Sequence, residues 1–223
     1  MLRKFDFSIG EFYHLYTRGT EKRKIFLDQK DYLRFMVLLS LCNSKESIHL
    51  SDHWKKSPTE LFALPKNEGL VDIGAYCLMP NHTHILVHER IEGGISSFAK
   101  KIFTSYSMYI NKKYHRTGGL FESRFKAKHL NSNEYLKYQF AYIHLNPIKL
   151  VQFDWKEKGI IDIIGAKKFL EEYRYSSYQD YIGVKRPENI ILTKEAFPDY
   201  FSEDLDFEEF VSSWLNFKED EEV

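Results

Sequence analysis

Hydrophobic side chains recur at two periods along the first half of the chain, and these periods predict its strands and helices. Residues 12–19 are rich in β-branched and aromatic side chains and end at Arg-Gly, which predicts a strand that enters a turn. A helix with apolar positions every 3.6 residues follows Asp28, which can cap its first turn. Residues 70–78 and 83–89 predict two more strands, and a Met-Pro-Asn turn joins them.

The second half of the chain repeats this pattern with a longer helix. After residue 94, apolar and aromatic residues fall on one stripe of a helix. Residues 120–130 predict an extended segment, and Asn131 with Glu134 forms a capping box for a further helix that runs through Asn146.

The order of these elements predicts an α+β fold. Strand, helix, two strands, helix, strand and helix match a ferredoxin-like (RRM-like) split β-α-β core, with an antiparallel sheet and helices on one face. Residues 46–70 show little periodicity and are interpreted as an insertion. We predict one domain over residues 1–185, followed by an acidic C-terminal extension over residues 186–223.

Cysteine usage and hydropathy limit the class of protein. Cys42 and Cys77 are far apart and match no metal or redox spacing, which predicts reduced thiols in a cytoplasmic protein. The sequence has no apolar run that would span a bilayer, and its first residues lack the apolar core of a signal peptide. We therefore expect a cytoplasmic protein without a membrane partner.

The net charge of zero conceals an uneven distribution of charge. From Glu203 to the end there are nine acidic residues and one lysine, so residues 1–202 keep 31 basic and 23 acidic residues. Between Ala99 and His129, eight Lys and Arg residues accompany one acidic residue. A basic body with an acidic tail indicates a polyanionic partner. The alternative is an ordinary solvated surface followed by an acidic terminus.

Three histidines lie in the second strand of the predicted hairpin. Side chains alternate along a strand, so His82, His84 and His88 share one face with an intervening leucine. Two adjacent imidazoles on one face can hold a divalent ion and leave coordination positions open for chemistry. The alternative is a half-buried histidine pair without a metal.

The helix before Pro147 carries a second candidate site. Leu136, Phe140 and Ile143 form its core-facing stripe, while Tyr142 and Asn146 lie one turn apart on a neighbouring stripe. By itself, such a tyrosine is typical of core packing with a bonded hydroxyl.

A third pattern is basic. Cations at alternate positions of an extended segment can follow a phosphate backbone, and nearby aromatic rings can stack on bases. The alternative is a strand edge protected by lysines. The candidate DNA-binding residues are Arg124, Lys126 and Lys128, joined by Arg18, Lys101 and Arg116.

Several segments together resemble the HUH single-strand transposases that use one tyrosine, and most of all the REP-associated tyrosine transposases. The matching segments are YHLYTRG, AYCLMPNHTHILV, GGLFESRFKAKHL, AYIHLNPIK and YRYSSYQDY, in the family's order. They extend from about Phe12 to Tyr181. MPNHTHIL followed by YIHLNP is the most specific combination.

The resemblance implies the chemistry of the site. His82 and His84 would be the paired ligands of Mg²⁺ or Mn²⁺, and Tyr142 would be the nucleophile. The third ligand position falls on Asn146, where some relatives have glutamine; His144 or water is the alternative. A phenol is a poor nucleophile at neutral pH, with a reference pKa near ~10, so metal assistance fits this chemistry.

The substrate implied by the resemblance is single-stranded DNA beside a hairpin, cleaved and rejoined through a 5′-phosphotyrosine. Two oligomeric states are open, a homodimer that exchanges the tyrosine helix and a monomer. The rival interpretations are a hairpin-binding module without catalysis, a metal-dependent hydrolase in which water attacks, and a structural protein with incidental histidines.

Overall fold

The computed structural model describes residues 6–46, 50–53, 55–65 and 68–198. Four strands form one antiparallel sheet in the order β2-β3-β1-β4. The strands are β1 (Phe12–Arg18), β2 (Val71–Met79), β3 (His82–Glu89) and β4 (Lys126–His129). The helices are α1 (Gln29–Leu41), α2 (Pro58–Phe62), α3 (Gly94–Lys113), α4 (Asn133–Leu145), α5 (Trp155–Lys158), α6 (Ile163–Glu172) and α7 (Tyr178–Tyr181).

This strand order is that of the split β-α-β core, so the predicted α+β fold is confirmed. Helices α1 and α3 pack together, and α3 lies against β2 and β3. Helix α4 also contacts β2 and β3, but its buried residues belong to a separate cluster. The sheet is therefore covered by helices on both faces, whereas the sequence predicted helices on one face.

Strand alternation explains why two cores form. On β3, Ile85 and Val87 join the large cluster under α1 and α3, while Leu86 points to the cluster under α4. All nine residues of β2 are buried, as expected for a strand with protein on both sides. We call the α1–α3 side the helix-pair face and the α4 side the tyrosine-helix face.

Helix starts agree closely with the sequence patterns. Asp28 caps α1, since its side chain accepts a hydrogen bond of 3.0 Å from the amide of Asp31. Helix α4 differs by one residue, because Ser132 rather than Asn131 is the cap, accepting from the amide of Tyr135 at 3.1 Å. Strand β4 is shorter than the predicted extended segment, since residues 121–125 bend before it.

The segment after α6 forms backbone hydrogen bonds with the outer edge of strand β2. The amides of Leu78 and Ser177 donate to the carbonyls of Tyr175 and Tyr76, at 2.9 Å each. The amide of Thr193 donates to Ile73 at 2.9 Å, so the packing continues beyond the boundary predicted at residue 185. That boundary stays a prediction, and residues 199–223 of the acidic extension lie outside the described residues.

The predicted insertion is described in part. Its helix α2 lies against α1, and Leu61 and Phe62 enter the large core. Residues 47–49, 54, 66 and 67 lie outside the described residues. Throughout the described ranges, every helix is too short or too polar to serve as a membrane span.

Candidate active site

The candidate site lies on the tyrosine-helix face, at the end of β3 next to the Pro80–Asn81 turn. Antiparallel pairing sets Arg18 opposite His82, and Tyr16 opposite His84. Directly paired residues project on the same side of a sheet, so these four side chains share the face that α4 covers. His14 is the next residue of β1 on this face.

A hydrogen-bond chain fixes the tautomer of His82. The Asn81 side-chain amide donates from Nδ2 to the Lys22 carbonyl at 3.1 Å, which turns its Oδ1 toward His82. That oxygen lies 2.6 Å from His82 Nδ1 and can only accept, so Nδ1 carries the hydrogen. His82 Nε2 therefore keeps its lone pair, and it faces Asn146 Oδ1 at 3.4 Å.

His84 is more deeply enclosed than His82. It is 5% exposed, and its Nδ1 lies 2.8 Å from Nε2 of His14, which is 4% exposed. Its other nitrogen, Nε2, is buried and has no hydrogen-bond partner within the described residues. A buried polar atom without a partner is costly and invites a ligand. The two histidine rings, His82 and His84, are 4.9 Å apart and nearly perpendicular.

Helix α4 brings Tyr142 beside these histidines. Its ring centroid lies 5.4 Å from that of His84, with the planes at 84°. Leu136, Phe140 and Ile143 are buried in the cluster below, as their stripe predicts, which turns the neighbouring stripe toward the site. Nζ of Lys156, from α5, lies 4.0 Å from the Tyr142 ring centroid.

The site keeps its histidines neutral. Burial is the main cause that lowers the pKa of His82 to about 4, and Arg18, Lys149 and Lys156 add to the effect. Burial likewise lowers the pKa of His14 to about 3, with Lys128 as the next cause. The pKa of His84 falls well below its ordinary value, chiefly through burial, with smaller effects from the neighbouring rings of His14 and His82 and from Lys156 and Arg18. Neutral imidazoles are the form that binds a metal.

These donors fit a divalent ion. His82 Nε2 and Asn146 Oδ1 are two electron-pair donors that face each other without a hydrogen between them, and His84 Nε2 is a third unpaired acceptor. Within the described ranges, His, Cys, Asp and Glu side chains alone do not form a group of three that holds a metal. A metal site here would therefore combine the two histidines with the Asn146 amide, water or substrate oxygen.

His144, the alternative third ligand, points elsewhere. Its Nδ1 donates to the Phe140 carbonyl at 3.0 Å, and its Nε2 accepts from the Ser177 hydroxyl at 2.7 Å. Both ring nitrogens are thereby used in the core, and the ring is fully buried. The suggestion that His144 serves as a ligand is wrong for this structure.

A family model for IS200-like transposases matches residues 35–146, half of the chain. The chain belongs to the IS200-like transposase family. The matched region contains both candidate histidine ligands and the candidate tyrosine, and it ends at Asn146. Membership identifies an enzyme class that acts on DNA, and it confirms the resemblance read from the sequence.

A solved structure supports the fold assignment. The structure described as the REP-associated tyrosine transposase bound to a REP hairpin aligns with a TM-score of 0.51 and 12% identity. The alignment covers 84% of this chain and 89% of that chain. At this identity, the likeness establishes the common fold of the two transposases. No curated protein matches the chain.

Five of the six predicted DNA-binding residues of this IS200-like transposase lie either on the tyrosine-helix face or in the loop before β4. Lys126 and Lys128 pair with Tyr16 and His14, so both project on the tyrosine-helix face beside the site. Arg18 projects there too. Two others, Arg116 and Arg124, belong to the loop before β4, which bonds to β1 through the Arg18 carbonyl and the Glu122 amide at 3.0 Å.

Lys101 is not brought to this surface. It lies on α3, and its Nζ donates to the carbonyls of Ser44, Lys45 and Glu46 at 2.6–3.2 Å. The cation therefore closes the turn after α1 on the helix-pair face. We do not include Lys101 among the residues proposed to bind DNA.

The sequence patterns missed four residues of the site. His14 and Asn81 bond to the two candidate ligands, and Lys149 and Lys156 act electrostatically on them. The alternation of His14 and Tyr16 places both side chains on one face of the first strand. It would have identified His14 only if the pairing of this strand with the histidine strand had been known.

Proposed function

We propose that this transposase cleaves and rejoins single-stranded DNA beside hairpins through a covalent 5′-phosphotyrosine at Tyr142. The observation that carries this proposal is that the half-buried Tyr142 lies beside two neutral histidines, His82 and His84, whose Nε2 atoms have no hydrogen-bond donor in the part of the chain that the structure describes. His84 Nε2 has no partner within the described residues, and the Tyr142 ring is 5.4 Å away from the His84 ring. A packing role for this tyrosine would not require acceptors left open beside it.

The candidate ligands of the ion are His82 Nε2, His84 Nε2 and Asn146 Oδ1. Bound Mg²⁺ or Mn²⁺ would polarise the scissile phosphate and offset the charge that develops on its oxygens. Three neutral ligands leave coordination positions for water and for phosphate oxygen. Asn81 orients the first ligand, because it accepts the hydrogen of His82 Nδ1 at 2.6 Å.

The strand-transfer step requires no co-reactant, because one bond to phosphorus forms as another breaks. The phenolic oxygen of Tyr142 forms a bond to phosphorus, and the bond between phosphorus and the 3′-oxygen breaks. The phenol loses one proton and the departing 3′-oxygen gains one. One phosphodiester replaces another, so a 3′-hydroxyl can reverse the step and join new ends without ATP. Lys156, at 4.0 Å from the ring centroid, can hold the ring and stabilise developing negative charge on its oxygen.

The DNA strand is proposed to cross the tyrosine-helix face along its cations. Two lysines of β4, Lys126 and Lys128, form one side, and Lys149 and Lys156 beyond α4 form the other. Tyr138 stacks 6.3 Å from Tyr142 and offers a surface for a base. The hairpin in the related solved structure supports a hairpin-flanked substrate.

The test is a search for a covalent adduct. The protein is mixed with a hairpin-flanked single-stranded oligonucleotide and Mn²⁺, and the products are examined by denaturing gel and intact mass. We expect an adduct that disappears with chelator, in Tyr142→Phe, and in the double variant His82→Ala/His84→Ala. Tyr138→Phe is the matched control, because it removes a hydroxyl one turn away on the same helix and keeps the ring proposed to stack on a base.

Each other outcome assigns a different function. Cleavage without an adduct that survives Tyr142→Phe would mean that water attacks and the protein is a hydrolase. Tight binding of hairpins without cleavage, across varied flanking sequences, would mean a binding module. Either result would overturn the proposal.

A further inference from the structure

A second histidine pair crosses the sheet beneath the candidate metal site. His14 of β1 and His84 of β3 meet through Nε2 and Nδ1 at 2.8 Å, and their rings stack with centroids 5.0 Å apart. Both side chains are buried, and neither of their outer nitrogens, His14 Nδ1 and His84 Nε2, has a partner within the described residues. The pair is thus isolated from other hydrogen bonds.

Only two hydrogen arrangements are available to this pair. A neutral imidazole has one N–H and one acceptor nitrogen, so one ring donates across the 2.8 Å contact and the other accepts. If His14 donates, His84 carries its own hydrogen on Nε2, which prevents that nitrogen from binding a metal. If His84 donates from Nδ1, its Nε2 lone pair is directed away from His14 and is free to bind.

We infer that His14 is a positioning residue for the metal site: it accepts the Nδ1 hydrogen of His84 and thereby presents His84 Nε2 as a ligand. This inference rests on the proposed function, since it assigns a partner to one of its ligands. The matched family region begins at residue 35 and so does not include His14.

The first ligand has an equivalent arrangement, which supports the inference. Asn81 accepts from Nδ1 of His82, just as His14 is inferred to accept from Nδ1 of His84. Each ligand then presents Nε2 toward the site, and each is held by a partner on its far side. Metal-bound histidines commonly have such a partner, and its loss weakens metal binding about 10–100-fold.

The experiment compares two substitutions of similar volume at position 14. His14→Gln keeps an acceptor oxygen, whereas His14→Leu fills the space with an apolar side chain. Both are made in Tyr142→Phe protein, so that bound oligonucleotide is not cleaved, and free Mn²⁺ is measured by electron paramagnetic resonance during titration. His84→Ala and His88→Ala run alongside; His88 is on the same strand face but bonds to Asp72 at 3.0 Å.

We expect His14→Leu to weaken Mn²⁺ binding about 10–100-fold, and His14→Gln to stay within a few-fold of its parent. Metal-free binding of the oligonucleotide, measured by fluorescence anisotropy, should be unchanged in both variants. His14→Ala removes the ring without filling its space, and its affinity for Mn²⁺ should fall as that of His14→Leu does. His88→Ala should bind Mn²⁺ as the parent does.

The outcomes distinguish this inference from the proposed function. If His84→Ala loses Mn²⁺ binding while His14→Leu and His14→Ala bind Mn²⁺ as the parent does, the positioning role of His14 is refuted. The metal clamp of the proposed function would still stand. Equal weakening by His14→Leu and His14→Gln would show that packing matters and the acceptor does not. Equal binding by the parent and His84→Ala would refute the metal clamp, and the positioning role with it.

Discussion

Shortening the chain at residue 185 tests how far the folded domain extends. Arg186, one residue later, is a buried cation whose side chain is 8% exposed. Its guanidinium bonds to the Asp180 carboxylate, to the carbonyls of Arg174 and Ser176 at 2.7 and 2.6 Å, and to the Tyr76 hydroxyl at 3.0 Å. Removing it leaves Asp180, which is 0% exposed at its side chain, without its countercharge.

The loss can be estimated from three groups. An uncompensated buried charge costs about 3–5 kcal/mol. Ile191 and Phe197, which are 2% and 6% exposed, each contribute about 1.5–3 kcal/mol through burial. Together these give a loss of about 6–11 kcal/mol, against a total stability of about 5–15 kcal/mol for a domain. A chain ending at 185 should therefore be largely unfolded, while one ending at 198 keeps all three groups.

Urea unfolding followed by circular dichroism measures this difference. We expect a cooperative transition for residues 1–198 and none for residues 1–185. The change Arg186→Met in the full chain should lower the free energy of unfolding by about 3–5 kcal/mol, and adding Asp180→Asn should recover part of it, since the second change removes the unpaired charge. Equal urea midpoints for the two shortened chains would refute the reasoning.

Two further predictions concern the DNA-binding surface and whether the active site is built within one chain. Replacing Lys149 and Lys156 with alanine should weaken binding of the oligonucleotide and reduce the slope of log affinity against log salt by about 1.4, or 0.7 for each lost phosphate contact; anisotropy titrations at several salt concentrations measure it. Mixing the Tyr142→Phe and His84→Ala proteins should restore no adduct, because Tyr142 lies beside His84 of its own chain.

Each of these two predictions can be refuted by a specific result. An unchanged salt slope in the double lysine variant would place the DNA elsewhere, and Lys101→Ala, on the opposite face, is the matched control. Recovery of the adduct in the mixture would mean that two chains exchange α4 to build composite sites. The parent protein at equal total concentration sets the scale for that comparison.

The features that depend on local periods were predictable from the sequence. His82 and His84 share a face because side chains alternate along a strand, and Tyr142 with Asn146 shares a stripe because a helix turns every 3.6 residues. The same rule explains why His144 is not a ligand. Two residues from Tyr142 correspond to about 200° around the helix, which directs His144 into the core.

The features that depend on strand pairing were not predictable. His14 reaches His84 only because β1 lies beside β3 in a register that sets His14 opposite Leu86. A shift of one residue would reverse every side chain of β1 between the two faces. Likewise, the apolar stripe of α4 predicts that this helix is buried, but a stripe alone does not specify which face of the sheet receives it.

The charge around the candidate ligands has a consequence for metal binding. His82, His84 and Asn146 are neutral donors, and the cations Lys156 and Arg18 are among the groups that lower the pKa of both histidines. These cations would repel a divalent ion until a phosphate enters among them. Metal and DNA should therefore bind with positive coupling, of about 1–3 kcal/mol or 5–150-fold.

Reciprocity makes this coupling testable from both directions. In Tyr142→Phe protein, the oligonucleotide should raise the affinity for Mn²⁺, and Mn²⁺ should raise the affinity for the oligonucleotide by the same factor. The Lys156→Ala variant should bind Mn²⁺ more tightly without DNA, since one repelling charge is gone, and should gain less when DNA is added. Mn²⁺ binding that is equally tight with and without DNA would show that the surrounding cations do not govern the site, and that the ion does not share a phosphate with them.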